Sequence, residues 1–186
     1  NMKKICFITG SRADYGIMRN LILKLFKNKN FKIQFIVIGS HFSKQLGYSF
    51  NEILKDGFRI EKKIKILNSS DTPTAISRST GLGIMRFAAL FDTNKPDLLI
   101  VLGDKYETFI ITYCAFVYRI PIAHIRGGEK TIGSLDDTFR HQISKMSDIH
   151  FVEREVYKKR LVQLGENPKD ITITGSLAKE NLNKVS

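Results

Sequence analysis

Short apolar runs and longer segments with helical spacing alternate along the whole chain. Each run is four to six residues long and rich in β-branched or other apolar side chains, which is typical of buried strands. The pattern predicts six strands: Ile5 to Thr9, Ile33 to Ile38, Leu98 to Leu102, Ile122 to Ile125, Ile149 to Val152 and Ile171 to Thr174.

The segments between these runs place apolar residues every three or four positions, as one face of a helix requires. The repeated order of strand and helix predicts a parallel sheet covered by helices on both faces, that is, a doubly wound, Rossmann-like α/β fold. The stretch from Gly57 to Asp71 fits least well, and we interpret it as an edge strand followed by a loop. The predicted helices are Tyr15 to Phe26, Ser43 to Leu54, Thr74 to Phe91, Glu107 to Tyr118, Asp136 to Met146 and Glu153 to Leu164.

A chain of 186 residues is long enough for one domain whose core folds without disulfides or metal. We assign residues 2–176 to this domain. After Gly175 the sequence opens a polar helix, Leu177 to Val185, with no further strand behind it. We therefore expect residues 177–186 to lead into a second domain that this chain does not contain.

The 30 basic and 18 acidic side chains give a formal net charge of +12. Basic residues clustered in one groove would favour nucleic acid. Here they are scattered over helix ends and connections, so we interpret them as a solvated surface and expect no nucleic-acid partner. The same charge balance fits a phosphorylated small ligand.

Compartment and metal content follow from what the sequence lacks. No apolar run approaches the roughly 20 residues of a membrane-spanning helix, and Met2-Lys3-Lys4 leads into a strand rather than a signal peptide. We therefore predict a cytoplasmic protein without membrane contact. Cys6 and Cys114 lie in apolar segments without histidine or cysteine neighbours at ligand spacing, so we predict buried thiols and no metal.

Three clusters of charged residues and glycines directly follow predicted strands, where a parallel sheet exposes functional groups to ligands. The first, Gly10-Ser11-Arg12, precedes a helix, so its amides and the helix N-terminus can face an anion. Its spacing matches neither a dinucleotide-binding fingerprint nor a P-loop. Arg12 is either a phosphate ligand or a surface arginine beside a glycine turn.

The second cluster, Gly103-Asp104-Lys105-Tyr106-Glu107, leaves the most hydrophobic of the predicted strands. Asp104 is therefore expected at the carboxyl edge of the sheet. It either caps the next helix or takes part in catalysis, and the two roles are compatible. Lys105 either pairs with a diphosphate or remains solvated.

The third cluster begins within a strand. His124 and Arg126 alternate, so the pattern places both side chains on one face. Gly127-Gly128 allows close approach of a ligand. Glu129 and Asp136 add carboxylates in the following loop and helix start, where helix capping is again the alternative.

Further ionisable residues lie near these clusters. Arg140 and His141 are one helical turn from Asp136, and we expect them to hold the aspartates there by ion pairing. His41 follows the second predicted strand, a position that favours a functional role. His150 lies within an apolar run, and we expect a satisfied core position.

Taken in order, six motifs resemble those of the UDP-N-acetylglucosamine 2-epimerase family, and the resemblance covers nearly the whole chain. It is closest to the hydrolysing branch, which supplies N-acetylmannosamine-type sugars for sialic and related nonulosonic acids. The motifs are Gly10-Ser11-Arg12-Ala13-Asp14-Tyr15, Gly39-Ser40-His41, Gly103-Asp104-Lys105-Tyr106-Glu107, His124-Ile125-Arg126-Gly127-Gly128-Glu129, Asp136-Asp137-Thr138-Phe139-Arg140-His141 and Gln163-Leu164-Gly165-Glu166-Asn167-Pro168.

The resemblance implies the first of two Rossmann-like domains in a glycosyltransferase-B arrangement, with a UDP-sugar in the cleft between them. It implies a homo-oligomer and no cofactor. The second domain of such enzymes supplies most contacts to UDP and a catalytic histidine, so this chain alone is expected to be inactive.

The implied reaction is elimination of UDP with loss of the C2 proton, followed by addition of water to the 2-acetamidoglucal. By resemblance, the catalytic residues are the carboxylates Asp104, Glu129 and Asp136. The resemblance assigns substrate binding to five residues: Arg12, Gly16, His41, Lys105 and Arg126.

Arg126 departs from the family pattern, which has Glu or His at this position. Arginine stays protonated and cannot serve as a general base. Either Glu129 or a neighbour takes that role, or Arg126 binds an acidic group, or the activity is altered. Two other functions stay open: a glycosyltransferase-B transferase domain, and a non-catalytic domain for UDP-sugar binding or oligomerisation.

Overall fold

The computed structural model of the protein describes residues 2–42, 48–66 and 72–182. Within these ranges, seven strands alternate with helices. The strands are β1 (Lys3–Thr9), β2 (Phe31–Ile38), β3 (Ile60–Ile64), β4 (Leu98–Leu102), β5 (Ile122–Ile125), β6 (Ile149–Val152) and β7 (Ile171–Ile173).

Seven α-helices connect or follow these strands in the described part of the chain, and 3-10 turns lie at Gly39–Phe42 and Pro168–Asp170. The α-helices are α1 (Arg12–Phe26), α2 (Asn51–Lys55), α3 (Pro73–Thr93), α4 (Tyr106–Val117), α5 (Leu135–Lys145), α6 (Glu155–Gln163) and α7 (Leu177–Leu182).

All strand pairs are parallel, and the sheet order is β3-β2-β1-β4-β5-β6-β7. The chain first builds outward from β1 to β3 and then returns to the other side of β1 with β4. This reversal makes the carboxyl ends of β1 and β4 the switch point, where the connections diverge and leave a crevice. The doubly wound, Rossmann-like fold is thus confirmed.

Apolar side chains form a separate core on each face of the sheet. One core centres on Leu99, Phe87 and Ile110, and the other on Phe7 and Met18, all fully buried. Burying a side chain of this size contributes roughly 1.5–3 kcal/mol. The two cores hold the carboxyl ends of the strands in a fixed arrangement, on which the polar residues stand.

One face of the sheet carries an apolar groove. A groove of about 650 Å³ lies over one face near the amino ends of β1, β4 and β5, lined by apolar residues such as Ile5, Leu25 and Phe151. The groove is confined to this end of the sheet, and apolar cores lie on both faces beyond it.

The predicted strands are all present, and the stretch interpreted as an edge strand contains β3. Lys62 and Lys63 are exposed there, and charge on an edge strand opposes pairing with another sheet. Of the helix predicted from Ser43 to Leu54, the described residues form only α2; residues 43–47 lie outside them, as do residues 67–71 of the predicted loop.

None of the helices in the described ranges is both long and apolar enough to cross a membrane. The same part of the chain holds no group of three or more His, Cys, Asp or Glu side chains that would fit a metal ion. Cys6 and Cys114 are buried free thiols, as predicted.

Candidate functional site

The predicted site residues gather along the carboxyl edge of the sheet. Asp104 follows β4 and Arg126 follows β5, while Ser11 caps the start of α1 beside the end of β1. The edge therefore combines a helix N-terminus with acidic and basic side chains. Such a combination suits an anionic ligand whose reaction requires proton transfer.

Asp104 is paired with Arg140 of α5. The Arg140 Nη2 group donates to Asp104 Oδ2 and also to Thr131 Oγ1, the latter over 3.2 Å. The Arg140 side chain is buried, whereas the Asp104 side chain keeps about a quarter of its surface exposed (23%). The carboxylate thus lies between a buried cation and solvent.

Helix capping, the alternative role of the aspartates, is wrong for both clusters. Lys105, not Asp104, is the N-cap residue of α4, and no side chain caps that helix. Ser134 caps α5 by accepting from the Asp136 amide. Asp104 and Asp136 are therefore free of the capping role that the sequence left open.

The expected ion pairs around α5 are only half confirmed. His141 Nε2 lies 3.6 Å from Asp137 Oδ2, one helical turn away, as predicted. Arg140 instead reaches across to Asp104 on the neighbouring connection. Helical spacing suggested a partner within α5, but the tertiary packing of α5 against α4 supplied another.

Lys105 binds the start of α1. Its Nζ lies 3.1 Å from Asp14 Oδ2 and 3.2 Å from Ser11 Oγ. Arg12 is directed elsewhere: its Nε pairs with Glu52 of α2 at 2.7 Å, and its side chain is 76% exposed. An exposed ion pair of this kind contributes at most about 1 kcal/mol, so Arg12 can exchange Glu52 for a ligand at little cost.

Glu107, in the first turn of α4, belongs to the site although the sequence singled out only its motif. Burial raises the pKa of its carboxyl group, and Asp14 and Asp136 act in the same direction, opposed by Lys105. Glu107 and Asp136 therefore belong to one electrostatic neighbourhood. Gly16, by contrast, lies in the second turn of α1, where a Cβ would meet no other atom within 4 Å.

Arg126 forms an ion pair that the sequence did not predict in this form. Its Nε and Nη2 donate to the two carboxylate oxygens of Glu129, each at 2.9 Å, and Nε lies 3.5 Å from Glu153. The backbone of Arg126 is left-handed, with φ of 68°. Arg126 therefore does bind an acidic group, one of the three alternatives, and that group belongs to this chain.

His41 and His124 are both fully buried. His41 bridges Thr9 Oγ1 (2.9 Å) and Ser49 Oγ (2.8 Å), so both ring nitrogens are engaged. His124 bridges the Gly103 carbonyl oxygen (2.8 Å) and Ser144 Oγ (3.0 Å). The expectation that His124 and Arg126 present one shared face is wrong, because His124 points into the protein.

Burial keeps these histidines neutral. Burial lowers the pKa of His41 to about 4 and the pKa of His124 to about 3. His150 is buried as predicted, with Nε2 3.3 Å from Glu166 Oε2, and burial lowers its pKa as well. Its Nδ1 has no hydrogen-bond partner in the described part of the chain, so this core position is only partly satisfied.

Acid is expected to destabilise the fold through these residues. The pKa of His41 is lower in the folded state than its ordinary 6.5, so the folded state favours the neutral ring. The contribution of neutral His41 to the free energy of unfolding is therefore complete above pH 6.5 and is lost as the pH falls toward 4. The expected loss at pH 5 is roughly 2 kcal/mol for each such histidine. Urea unfolding at pH 7.5 and pH 5 measures it.

The control is a variant without the titrating group. His41→Asn should show a smaller difference in unfolding free energy between the two pH values than wild type does. An unchanged pH dependence in His41→Asn would exclude His41 as a source of the acid sensitivity.

Sequence comparison relates the chain to known proteins. A family model described as UDP-N-acetylglucosamine 2-epimerase matches residues 23–186. A GDP/UDP-N,N'-diacetylbacillosamine 2-epimerase (hydrolyzing) from Campylobacter jejuni is 42% identical over 95% of this chain and 46% of its own length. Polysialic acid biosynthesis protein P7 from Escherichia coli is 40% identical over 97% of this chain and 46% of its own length. The chain thus spans about half the length of these curated relatives.

Structure comparison supports the fold. A UDP-GlcNAc 2-epimerase from Neisseria meningitidis, solved with bound UDP-GlcNAc, superposes with a TM-score of 0.83 at 22% identity. The match covers 97% of this chain and 48% of that protein. The Rossmann-like fold of the chain is therefore that of about half of such a structure.

Proposed function

The chain belongs to the UDP-N-acetylglucosamine 2-epimerase family, and from this premise we propose that it is the amino-terminal domain of a hydrolysing UDP-N-acetylglucosamine 2-epimerase. The observation that carries the proposal is the set of carboxylates and cations at the switch point of the sheet, with Asp104 and Lys105 adjacent after β4. The hydrolysing relatives at 42% and 33% identity support this branch of the family.

Residues 2–176 form the proposed domain, and residues 177–186 lead toward a second one. The lengths of the relatives, about twice that of this chain, support this division. The second domain closes the cleft over the carboxyl edge of the sheet and contributes the remaining contacts to UDP. A cleft between domains also excludes water, which strengthens electrostatic interactions within it.

The proposed reaction has two steps. In the first, a carboxylate takes the C2 proton of the sugar while the bond from C1 to the UDP oxygen breaks, and its electron pair leaves with the diphosphate. A double bond forms between C1 and C2. In the second step, water adds its hydroxyl at C1 and a proton returns to C2 from the other face, which releases the 2-epimer.

The structure supports different roles for the carboxylates. Asp104 is partly exposed beside a buried cation and serves as the base at C2. Asp136, near the buried carboxyl of Glu107, serves in proton return. Both oxygens of Glu129 are engaged by Arg126, so Glu129 acts in catalysis by holding that arginine. Lys105 binds the diphosphate.

The binding residues divide by accessibility. Arg12 can leave Glu52 for the diphosphate, and Gly16 keeps the second turn of α1 open to the nucleotide. Arg126 is near enough to Asp104 for that carboxylate to raise the pKa of the guanidinium, and it binds the substrate from this side. His41 is sealed from solvent and contributes by fixing Ser49 next to Arg12 rather than by touching substrate.

Proton NMR of UDP-GlcNAc in D₂O with the full-length protein tests this function. Free UDP together with N-acetylmannosamine deuterated at C2 is the expected result. Deuterated UDP-ManNAc would place the enzyme in the non-hydrolysing branch. Absence of C2 exchange from UDP-GlcNAc and from the diacetylated UDP-sugar would contradict the proposal and favour a transferase or a binding domain.

We further propose that the protein is a homo-oligomer associated through the outer surface of α3 and α4. Met85, Tyr113, Phe116 and Val117 are large, exposed apolar residues of these helices. A cluster of this kind is typical of an interface rather than of a solvated surface.

Phe116→Glu is expected to weaken self-association at least tenfold, because Phe116 is a large exposed side chain of this surface and a buried unpaired carboxylate is costly. Light scattering coupled to size-exclusion chromatography over a concentration series measures it. Val156→Glu on α6, also exposed, is the matched control and should associate as wild type does. Equal masses for wild type and Phe116→Glu would exclude this surface.

A further inference from the structure

Arg140 is a buried cation in the described structure. The residue is 5% exposed, although arginine is rarely buried unless its charge is paired. Its guanidinium reaches Asp104 and Thr131 through the same nitrogen, Nη2. The arginine is thus buried, whereas Asp104 is partly exposed and Thr131 is exposed.

Stability does not explain this arrangement. Nε and Nη1 of Arg140 are buried without a hydrogen-bond partner among residues 2–42, 48–66 and 72–182. An unmet buried donor costs about 1–3 kcal/mol, and a buried ion pair is often no more stabilising than apolar residues of the same volume. A leucine or methionine here would serve the fold at least as well.

Both members of the pair are held by one buried network. Ser144 Oγ lies 3.1 Å from the Arg140 carbonyl oxygen, one turn along α5, and 3.0 Å from His124 Nδ1, and its single proton is shared between these two acceptors. His124 Nε2 donates to the carbonyl oxygen of Gly103, the residue before Asp104. His124 therefore couples the backbone that carries the arginine to the backbone that carries the aspartate.

We infer that Arg140 is a positioning residue that fixes the orientation of the Asp104 carboxylate for removal of the C2 proton. This inference rests on the proposed function. Arg140 occupies Oδ2, and among the described residues no donor is within hydrogen-bond distance of Oδ1. The proton from C2 is transferred to Oδ1, while the guanidinium holds the opposite oxygen, Oδ2, in place.

Activity measurements on the full-length protein give the first test. Arg140→Lys retains a positive charge, but the shorter side chain cannot place its nitrogen where Nη2 lies, so kcat should fall about 10²- to 10³-fold while KM changes less than about threefold. Arg140→Ala should be slower still, and millimolar guanidinium should restore at least a tenth of the lost rate. Urea, which has the same shape but no charge, should restore none.

The matched control is Arg78→Lys, an exposed arginine on α3 that should behave as wild type. Rates are divided by the folded fraction measured by circular dichroism, so that lost stability is not mistaken for lost positioning. Arg140→Lys activity within threefold of wild type, or equal rescue by urea and guanidinium, would overturn the inference.

A second test needs no turnover and uses the 186-residue chain. Millimolar guanidinium should raise the melting temperature of Arg140→Ala, because the ion occupies the vacated site beside Asp104. The double variant Arg140→Ala/Asp104→Asn should show no such rise. If Arg140→Ala does not fold, Arg140→Lys with and without Asp104→Asn replaces it, and a non-additive loss of stability is expected.

The two tests separate failure of the inference from failure of the proposed function. Guanidinium stabilisation that depends on Asp104, in a full-length protein that does not exchange the C2 proton, would keep the pairing and reject the reaction. Normal exchange by wild type, with guanidinium effects independent of Asp104, would reject the role of Arg140 and keep the reaction.

Discussion

Asp104→Asn in the full-length protein is expected to lower the rate of C2 proton exchange about 10³-fold, within the range that general-base catalysis contributes. The amide has nearly the shape of the carboxylate but cannot accept the proton. It also leaves the Arg140 guanidinium without its anion. Deuterium incorporation at C2 and release of UDP, measured in the same NMR sample, report the loss.

Asp170→Asn is the matched control, because Asp170 is an exposed carboxylate next to β7 at the amino end of that strand, remote from the carboxyl edge. It should retain the wild-type rate. Since Asp104→Asn also unpairs a buried arginine, its unfolding free energy is measured alongside. Rates within tenfold of wild type, in a folded Asp104→Asn variant, would remove Asp104 as the base.

The sheet could be predicted from the sequence because its interior strands are continuous apolar runs. In β4, Leu98 is partly buried and the four residues after it are buried, so each position of the strand is apolar. The edge strand Ile60–Ile64 gives a weaker signal, since its central residues are exposed lysines and a glutamate. Its identity follows only from pairing with β2, which is a tertiary contact.

The position of the charged residues at the edge of the sheet was predictable, but their ion-pair partners were not. Asp104, Lys105 and Arg126 follow the ends of predicted strands. They could therefore be placed at the carboxyl edge of the sheet, which follows from the order of elements in a parallel fold. The partners of these residues depend on how helices pack. Arg140 lies 36 residues from Asp104 in the chain, and spacing along α5 favoured a nearer partner.

The burial of individual side chains was the second property that could not be predicted from position in the sequence. His41 follows a strand and therefore read as functional, yet the 3-10 turn at Gly39–Phe42 directs it inward between Thr9 and Ser49. Glu107 was included in a motif without a role, since its buried environment depends on the surrounding elements. Neither environment is encoded by local spacing.

Gly128→Ala is expected to destabilise the protein by about 3–5 kcal/mol, a large part of a typical folding free energy. Gly128 has φ of 73°, and an added Cβ would overlap the Tyr157 carbonyl oxygen of α6 and lie 3.2 Å from Leu161 Cγ. The atoms it meets belong mainly to helix backbone, which cannot move aside as a flexible side chain can. Urea unfolding measures the loss.

Gly133→Ala separates the clash from backbone strain. Gly133 has a similar φ of 80°, but a Cβ there meets no atom within 4 Å, so only the left-handed conformation is penalised, by about 1 kcal/mol. A comparable loss of unfolding free energy in both variants would show that α6 moves away from the added Cβ at little cost. The larger loss expected for Gly128→Ala would mean that α6 is packed directly on the loop that carries Arg126 and Glu129. Arg160 of that helix also donates to the Gly128 carbonyl oxygen over 2.7 Å, so displacement of α6 would be transmitted to this side of the candidate site.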